Sequence, residues 1–183
     1  FEGNKAEHDG GGVCFRNGVL KLERCTFRGN EAFDGGGMHA EPSDGSTCIE
    51  SFFIENTANR NNPFEGSGGG VLIGGAGSSM AFHRCLFERN YAPEGGGLNH
   101  TSGVLNRNVL ALTRCLFRDN NAGQGGALST RLSSLRATDC LFESNVASGD
   151  GGGAVHVRDG IGRGDPEPTG PGPVFTRCRF AGN

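Results

Sequence analysis

The stretch Cys115-Leu-Phe-Arg-Asp-Asn-Asn-Ala-Gly-Gln-Gly-Gly-Ala-Leu128 decides the fold, because its order of residues recurs along the chain. Phe117 is followed three residues later by Asn120, then by Ala122, then by the pair Gly125-Gly126. The same Phe-x-x-Asn spacing occurs at Phe1/Asn4, Phe27/Asn30, Phe53/Asn56, Phe87/Asn90, Phe142/Asn145 and Phe180/Asn183. An Ala stands two residues after each Asn except the last: Ala6, Ala32, Ala58, Ala92, Ala122 and Ala147. A glycine cluster follows each Ala: Gly10-Gly12, Gly35-Gly37, Gly68-Gly70, Gly95-Gly97, Gly125-Gly126 and Gly151-Gly153. Cys precedes the Phe by two residues at Cys25, Cys85, Cys115, Cys140 and Cys178, and Ser51 takes that place once.

Successive Phe positions are 26, 26, 34, 30, 25 and 38 residues apart. A period that grows from a fixed minimum but never shrinks describes coils of a solenoid carrying loops of different length. Within each period the apolar residues alternate. Leu20, Leu22, Cys25 and Phe27 align with Met80, Phe82, Cys85 and Phe87, and with Leu110, Leu112, Cys115 and Phe117. Steps of two mark a strand with one buried face, and the single step of three marks a bend between two short strands. Alternation resumes after the glycines, as in Val13/Phe15, Val71/Ile73 and Val155/Val157. No helical period is present, and glycine is too frequent for helix interiors. The expectation is an all-β chain of about three short strands per coil. Equivalent strands stack in parallel as a right-handed parallel β-helix of about six coils, each of 25 or more residues, with inserted loops.

Composition agrees. Of 183 residues, 34 are glycine and 13 are phenylalanine, with a net charge of −3. Collagen needs glycine at about one residue in three with a strict period, and neither is present. The apolar fraction of 34% with recurrent Phe excludes a chain too polar to bury a core. The near balance of charge argues against nucleic acid as partner, and no apolar run is long enough to span a membrane.

The repeats assign structural roles. Phe27, Phe53, Phe87, Phe117, Phe142 and Phe180 form an inward ring ladder. Asn30, Asn56, Asn90, Asn120, Asn145 and Asn183 sit at a turn, bond their own or the next coil's backbone, and tolerate left-handed φ. Cys25, Cys85, Cys115, Cys140 and Cys178 form an inward thiol column, favoured over one or two disulfides because the cysteine count is odd. Cys14 faces outward. Charges of opposite sign are often neighbours along the stack at the position before each Cys (Arg24, Glu50, Arg84, Arg114, Asp139, Arg177), which suggests register control more than strength.

Candidate chemistry is sparse. Asp9, Asp34, Glu94 and Asp150 precede glycine clusters and form a column that could take a hard cation, but the repeat of calcium β-rolls is absent. No Cys/His group has zinc-ligand spacing, so no metal and no cofactor is expected. The outward residues after the glycines are Cys14, His39, Leu72, Asn99, Ser129 and His156, which contain no acid–base pair, so no catalytic residue is expected. Asn99-His100-Thr101 is a candidate glycosylation site on an outward residue. Residues 158–173 are rich in Pro and Gly and predict a projecting loop, with Arg163-Gly164-Asp165 as a candidate adhesion tripeptide resembling an integrin-recognition sequence.

The block C-x-F-x-x-N-x-A followed by G-G-[GA] resembles the FxxN and GGA[ILV] repeats of polymorphic outer-membrane proteins. Two repeats carry the full second form, Gly125-Gly126-Ala127-Leu128 and Gly152-Gly153-Ala154-Val155. That family comprises autotransported adhesins with a right-handed β-helical passenger, and similar repeats occur in other large cell-surface proteins. The resemblance implies a non-catalytic structural or adhesive segment, extracellular or at the cell surface. Its partners would be neighbouring coils of a longer chain, like subunits in a filament, or a host or cell-surface protein or glycan. Both ends of the chain lie inside a repeat, which fits a segment of a longer solenoid. The alternative expectation is a carbohydrate-binding or carbohydrate-cleaving β-helix.

Overall fold

A computed structural model describes residues 1–59, 65–101, 108–131, 134–149, 151–158 and 172–183. The described residues form 23 strands, all paired in parallel, in three six-stranded sheets and one five-stranded sheet. Strand order in every sheet follows coil order, so the chain is a parallel β-helix. No helix long and apolar enough to cross a membrane occurs among the described residues.

Each coil contributes four strands where the repeat suggested three. The phenylalanine sheet contains Thr26–Arg28, Phe52–Ile54, Leu86–Glu88, Leu116–Arg118, Leu141–Glu143 and Arg179–Ala181. The glycine-led sheet contains Val13–Arg16, Met38–Glu41, Val71–Ile73, Leu98–Thr101, Leu128–Arg131 and Val155–Arg158. The fourth strand holds the recurring alanines, for example Glu31–Ala32 and Asn121–Gln124. In its two-residue form it leaves almost no alternation to detect.

The corners explain how charged residues can punctuate a strand-rich chain. Arg24, Glu50, Arg84, Arg114, Asp139 and Arg177 all have φ between 50° and 55°. These are the residues at the single step of three, and the left-handed backbone there makes the bend. A second left-handed corner falls on Gly29, Glu55, Arg89, Asp119 and Ser144, with φ between 51° and 59°. It immediately precedes each ladder Asn, so the expectation that Asn itself takes this conformation is corrected: the Asn side chains are turned inward to bond. Each non-glycine residue in this region costs about 1–2 kcal/mol, so the stacking of coils must hold the corners in place.

The core is one column of rings and aliphatic groups. Phe27, Phe53, Phe87, Phe117 and Phe142 are fully buried, joined by Phe82, Met38, Ile73, Leu98, Leu110, Leu112 and Leu128. Successive ladder rings lie 4.4–5.0 Å apart between centroids, tilted by 2–10°. That spacing follows from the ~4.8 Å separation of strands. Burial of each ring contributes about 1.5–3 kcal/mol, and each stacked pair about 0.5–1.5 kcal/mol more.

Candidate functional site

The residues singled out from the repeat are directed inward. Asn30, Asn56, Asn90, Asn120 and Asn145 are buried. Each donates from Nδ2 to Oδ1 of the next ladder Asn at 2.8–3.0 Å, ending on Asn183. Each of those from Asn56 onward also donates to a ladder Phe carbonyl one coil back, as Asn56 does to Phe27 at 2.9 Å. All seven cysteines are free thiols; Cys48, Cys85, Cys115 and Cys140 are buried, Cys25 and Cys178 are partly buried, and Cys14 is exposed. Cys48 lies 3.9 Å from Cys85 between sulfurs. Its shared hydrogen bond with Cys85, together with burial, holds the Cys48 thiol above the ordinary range. These columns build the interior of the solenoid.

The outward corner after the alanine strand is different. There Gly10, Gly35, Gly68, Gly95 and Gly125 have φ between 61° and 67°. The turn folds the column before it, Asp9, Asp34, Ser67, Glu94 and Gln124, toward the column after it, Cys14, His39, Leu72, Asn99, Ser129 and His156. Register sets both columns: Asp9 bridges Asp34, Ser67 bridges Glu94, and Glu94 pairs with Gln124. Cys14 pairs with His39, His39 with Leu72, Leu72 with Asn99, and so on to His156. The two columns therefore meet at a corner that runs along the stack, with His39, Leu72, Asn99 and Ser129 buried in it.

Contacts at this corner are polar. His39 Nδ1 lies 3.0 Å from Asp9 Oδ1. Ser129 donates to Glu94 Oε1 at 3.4 Å, and Arg158 closes over Gln124 Oε1 at 3.0 Å. Asp34 Oδ1 accepts from the Ser67 amide at 2.8 Å. Burial pushes the Asp34 carboxyl above its ordinary range, opposed by the Ser67 hydrogen bond and by His39. A recess of about 310 Å³ opens between Gly66, Ser67, Pro93, Glu94, Gln124 and Arg158.

This geometry corrects the expectation for Asn99. Its side chain is 0% exposed, and neither amide atom has a hydrogen-bond partner among the described residues. An outward position in the strand is here the floor of a re-entrant corner, so Asn99 is closed to a glycan in the folded chain. Arg163, Gly164 and Asp165, most of the 158–173 loop, and Asp150 lie outside the described residues.

The fold also brings together Asp9, Cys14 and His39, whose ligand atoms lie within 4.8 Å of one another. Their spacing along the chain carries no metal-ligand pattern; the glycine turn and the pairing of Cys14 with His39 supply the proximity. The residue between each Cys position and its Phe points outward, and in four successive coils it is Phe52, Leu86, Leu116 and Leu141, paired in register. Phe52 is 43% exposed and the leucines are partly exposed.

A family model described as right-handed β-helix region matches residues 1–162. No curated protein and no solved structure matches the chain. Four parallel sheets in coil order, joined to that match over most of the chain, show that this protein belongs to the right-handed β-helix family.

Proposed function

We propose that this chain is a non-catalytic, rod-forming segment of an extracellular surface or filament protein, of the type built by the FxxN and GGA[ILV] repeats of polymorphic outer-membrane proteins. The observation that carries this reading is the outward stripe Phe52, Leu86, Leu116 and Leu141 on a parallel sheet. The adjacent outward column supplies register through ion pairs such as Arg118 with Glu88. An apolar stripe rimmed by fixed charges suits side-by-side packing against a like subunit, since two sheets pack face to face at about 10 Å. Sedimentation velocity across a concentration series tests it. The native chain should self-associate, and Leu86→Lys with Leu116→Lys should return it to a monomer of unchanged circular dichroism. A native chain that stays monomeric at every concentration removes the stripe as support.

A second reading, a glycan-binding groove, is favoured by the recess beside Glu94, Gln124 and Arg158. Carboxylate, amide and guanidinium groups in one cleft are the donors and acceptors that sugar hydroxyls require. Binding to a glycan array that is lost in Glu94→Ala would favour it. Turnover of a polysaccharide would exclude the non-catalytic reading.

A further inference from the structure

We propose that Asp9, Cys14 and His39 form a site for one divalent cation of the zinc class, at the end of the two columns and spanning the first two coils. The three residues arrive from separate local causes. Asp9 ends the first column just before Gly10, whose φ of 61° turns the chain back. Cys14 is the second residue of the strand Val13–Arg16, and parallel pairing sets it opposite His39. The donor atoms then lie within 4.8 Å of one another.

His39 carries the argument beyond proximity. The residue is 8% exposed, and its Nδ1 is buried without a hydrogen bond although Asp9 Oδ1 is 3.0 Å away. A buried ring nitrogen left unsatisfied is costly, and a metal ion on that nitrogen removes the cost. The other ring nitrogen, Nε2, lies 4.0 Å from Glu41 Oε1. A carboxylate behind the distal nitrogen of a ligating imidazole is the usual outer support of such sites. Arg16 holds the second oxygen of Asp9 at 2.5 Å and reaches Glu41 at 3.7 Å, which fixes both carboxylates.

The donor set selects the ion. Thiolate, imidazole and carboxylate together suit zinc and its substitutes, whereas calcium and magnesium require oxygen donors throughout. Bond lengths of about 2.0–2.3 Å place tetrahedral donors about 3.3–3.8 Å apart. Closure on the order of 1 Å is needed, and the exposed Cys14 side chain can supply it by rotation. Cys14 binds as thiolate, so its proton passes to solvent as the sulfur–metal bond forms. The open side at Cys14 leaves a fourth position for water. The bound ion would tie the first coil to the second.

The test is cobalt titration of the full, reduced, metal-free chain. One equivalent should bind with a thiolate-to-cobalt charge-transfer band, and zinc should displace it. Cys14→Ser should abolish the band, while Cys178→Ser should retain it. Asp9→Asn and His39→Gln should each weaken cobalt binding by about tenfold or more, and Glu41→Gln by about tenfold. Circular dichroism checks that each variant is folded; if His39→Gln is not, Asp9→Asn and the exposed Cys14→Ser decide the matter. Absence of saturable binding overturns the site, as does a band that survives Cys14→Ser. Unchanged affinity in both Asp9→Asn and His39→Gln does so too.

Discussion

Asn56 donates to Asn90 at 3.0 Å across 34 residues of chain, and Asn30 donates to Asn56 at 2.9 Å across 26. The extra residues of the longer coil leave the ladder unchanged. The coil is thus set by its ladders and corners, and insertions are displaced to the loops between them. A ladder rung should therefore matter more to stability than any loop residue.

Asn90→Ala tests this. Asn90 accepts from the Asn56 amide and side chain and donates to Phe53 O and Asn120 Oδ1. Removal leaves several buried polar groups unpaired at once. The expected loss is about 3–5 kcal/mol in denaturant unfolding. Asn183→Ala, at a partly exposed rung, should cost about 1 kcal/mol. Equal costs at the two positions would show that the ladder is not a buried network.

The phenylalanine ladder should respond by burial in the same way. Phe87 stacks between Phe53 and Phe117 and is fully buried, so Phe87→Ala should cost about 3–5 kcal/mol. Phe180 is 47% exposed and stacks on one side only. Phe180→Ala should cost about half as much, measured by the shift in thermal or urea midpoint.

Much of this was legible in the sequence because each ladder is one residue type in one column. Phe117 and Asn120 announce themselves by recurrence. The polar corner is not legible, because its two columns meet only through the turn angle at residues such as Gly35, and strand parity alone counts Asn99 as outward. A polar residue that repeats invites the assignment of the left-handed turn to Asn, whereas Arg89 and Asp119 before it adopt it and the Asn side chain is needed inside. The stripe of Phe52 and Leu116 is masked because apolar residues adjacent to a buried Phe break the in–out alternation.

The glycines separate two physical demands. Gly29 has φ of 59° and nothing within 4 Å of an added Cβ. Gly96 has no such φ, but a Cβ would lie 2.5 Å from the Asn121 and Gly126 carbonyl oxygens. Gly29→Ala should cost about 1 kcal/mol from backbone strain alone. Gly96→Ala forces backbones of adjacent coils apart, and should cost more than about 3 kcal/mol or prevent folding. Thermal melts of the two variants should fall in that order.

His100 supplies a pH dependence. It is a buried residue of the strand Leu98–Thr101, with Nε2 3.1 Å from the Ser78 carbonyl. Burial lowers its pKa from 6.5 to about 4. The folded chain therefore binds this proton less readily than the unfolded chain. The contribution is fully present above about pH 6.5 and is lost as pH falls toward about 4, amounting to roughly 3 kcal/mol. Urea midpoints between pH 7 and pH 4 should show this loss, and His100→Leu should flatten the dependence in that window. An unchanged profile in His100→Leu would assign the acid sensitivity to carboxylates instead.

Thiol accessibility gives a last check on the interior. Cys14 is exposed, Cys25 and Cys178 are partly buried, and the other four cysteines are buried. The Cys48 and Cys115 thiols are also held protonated by hydrogen bonds to neighbouring thiols and by burial. Thiolate is the reactive form, so protonation adds protection at Cys48 and Cys115, whereas hydrogen bonds with Cys115 lower the Cys85 and Cys140 thiols and burial alone shields those two. In the native, metal-free chain a disulfide reagent should modify Cys14 first and Cys25 and Cys178 more slowly. Cys48, Cys85, Cys115 and Cys140 should react at least about a hundredfold more slowly, because their reaction awaits opening of the coils. All seven should react in denaturant. Rapid modification of Cys115 without unfolding would mean that the coils part far more readily than stacked ladders permit.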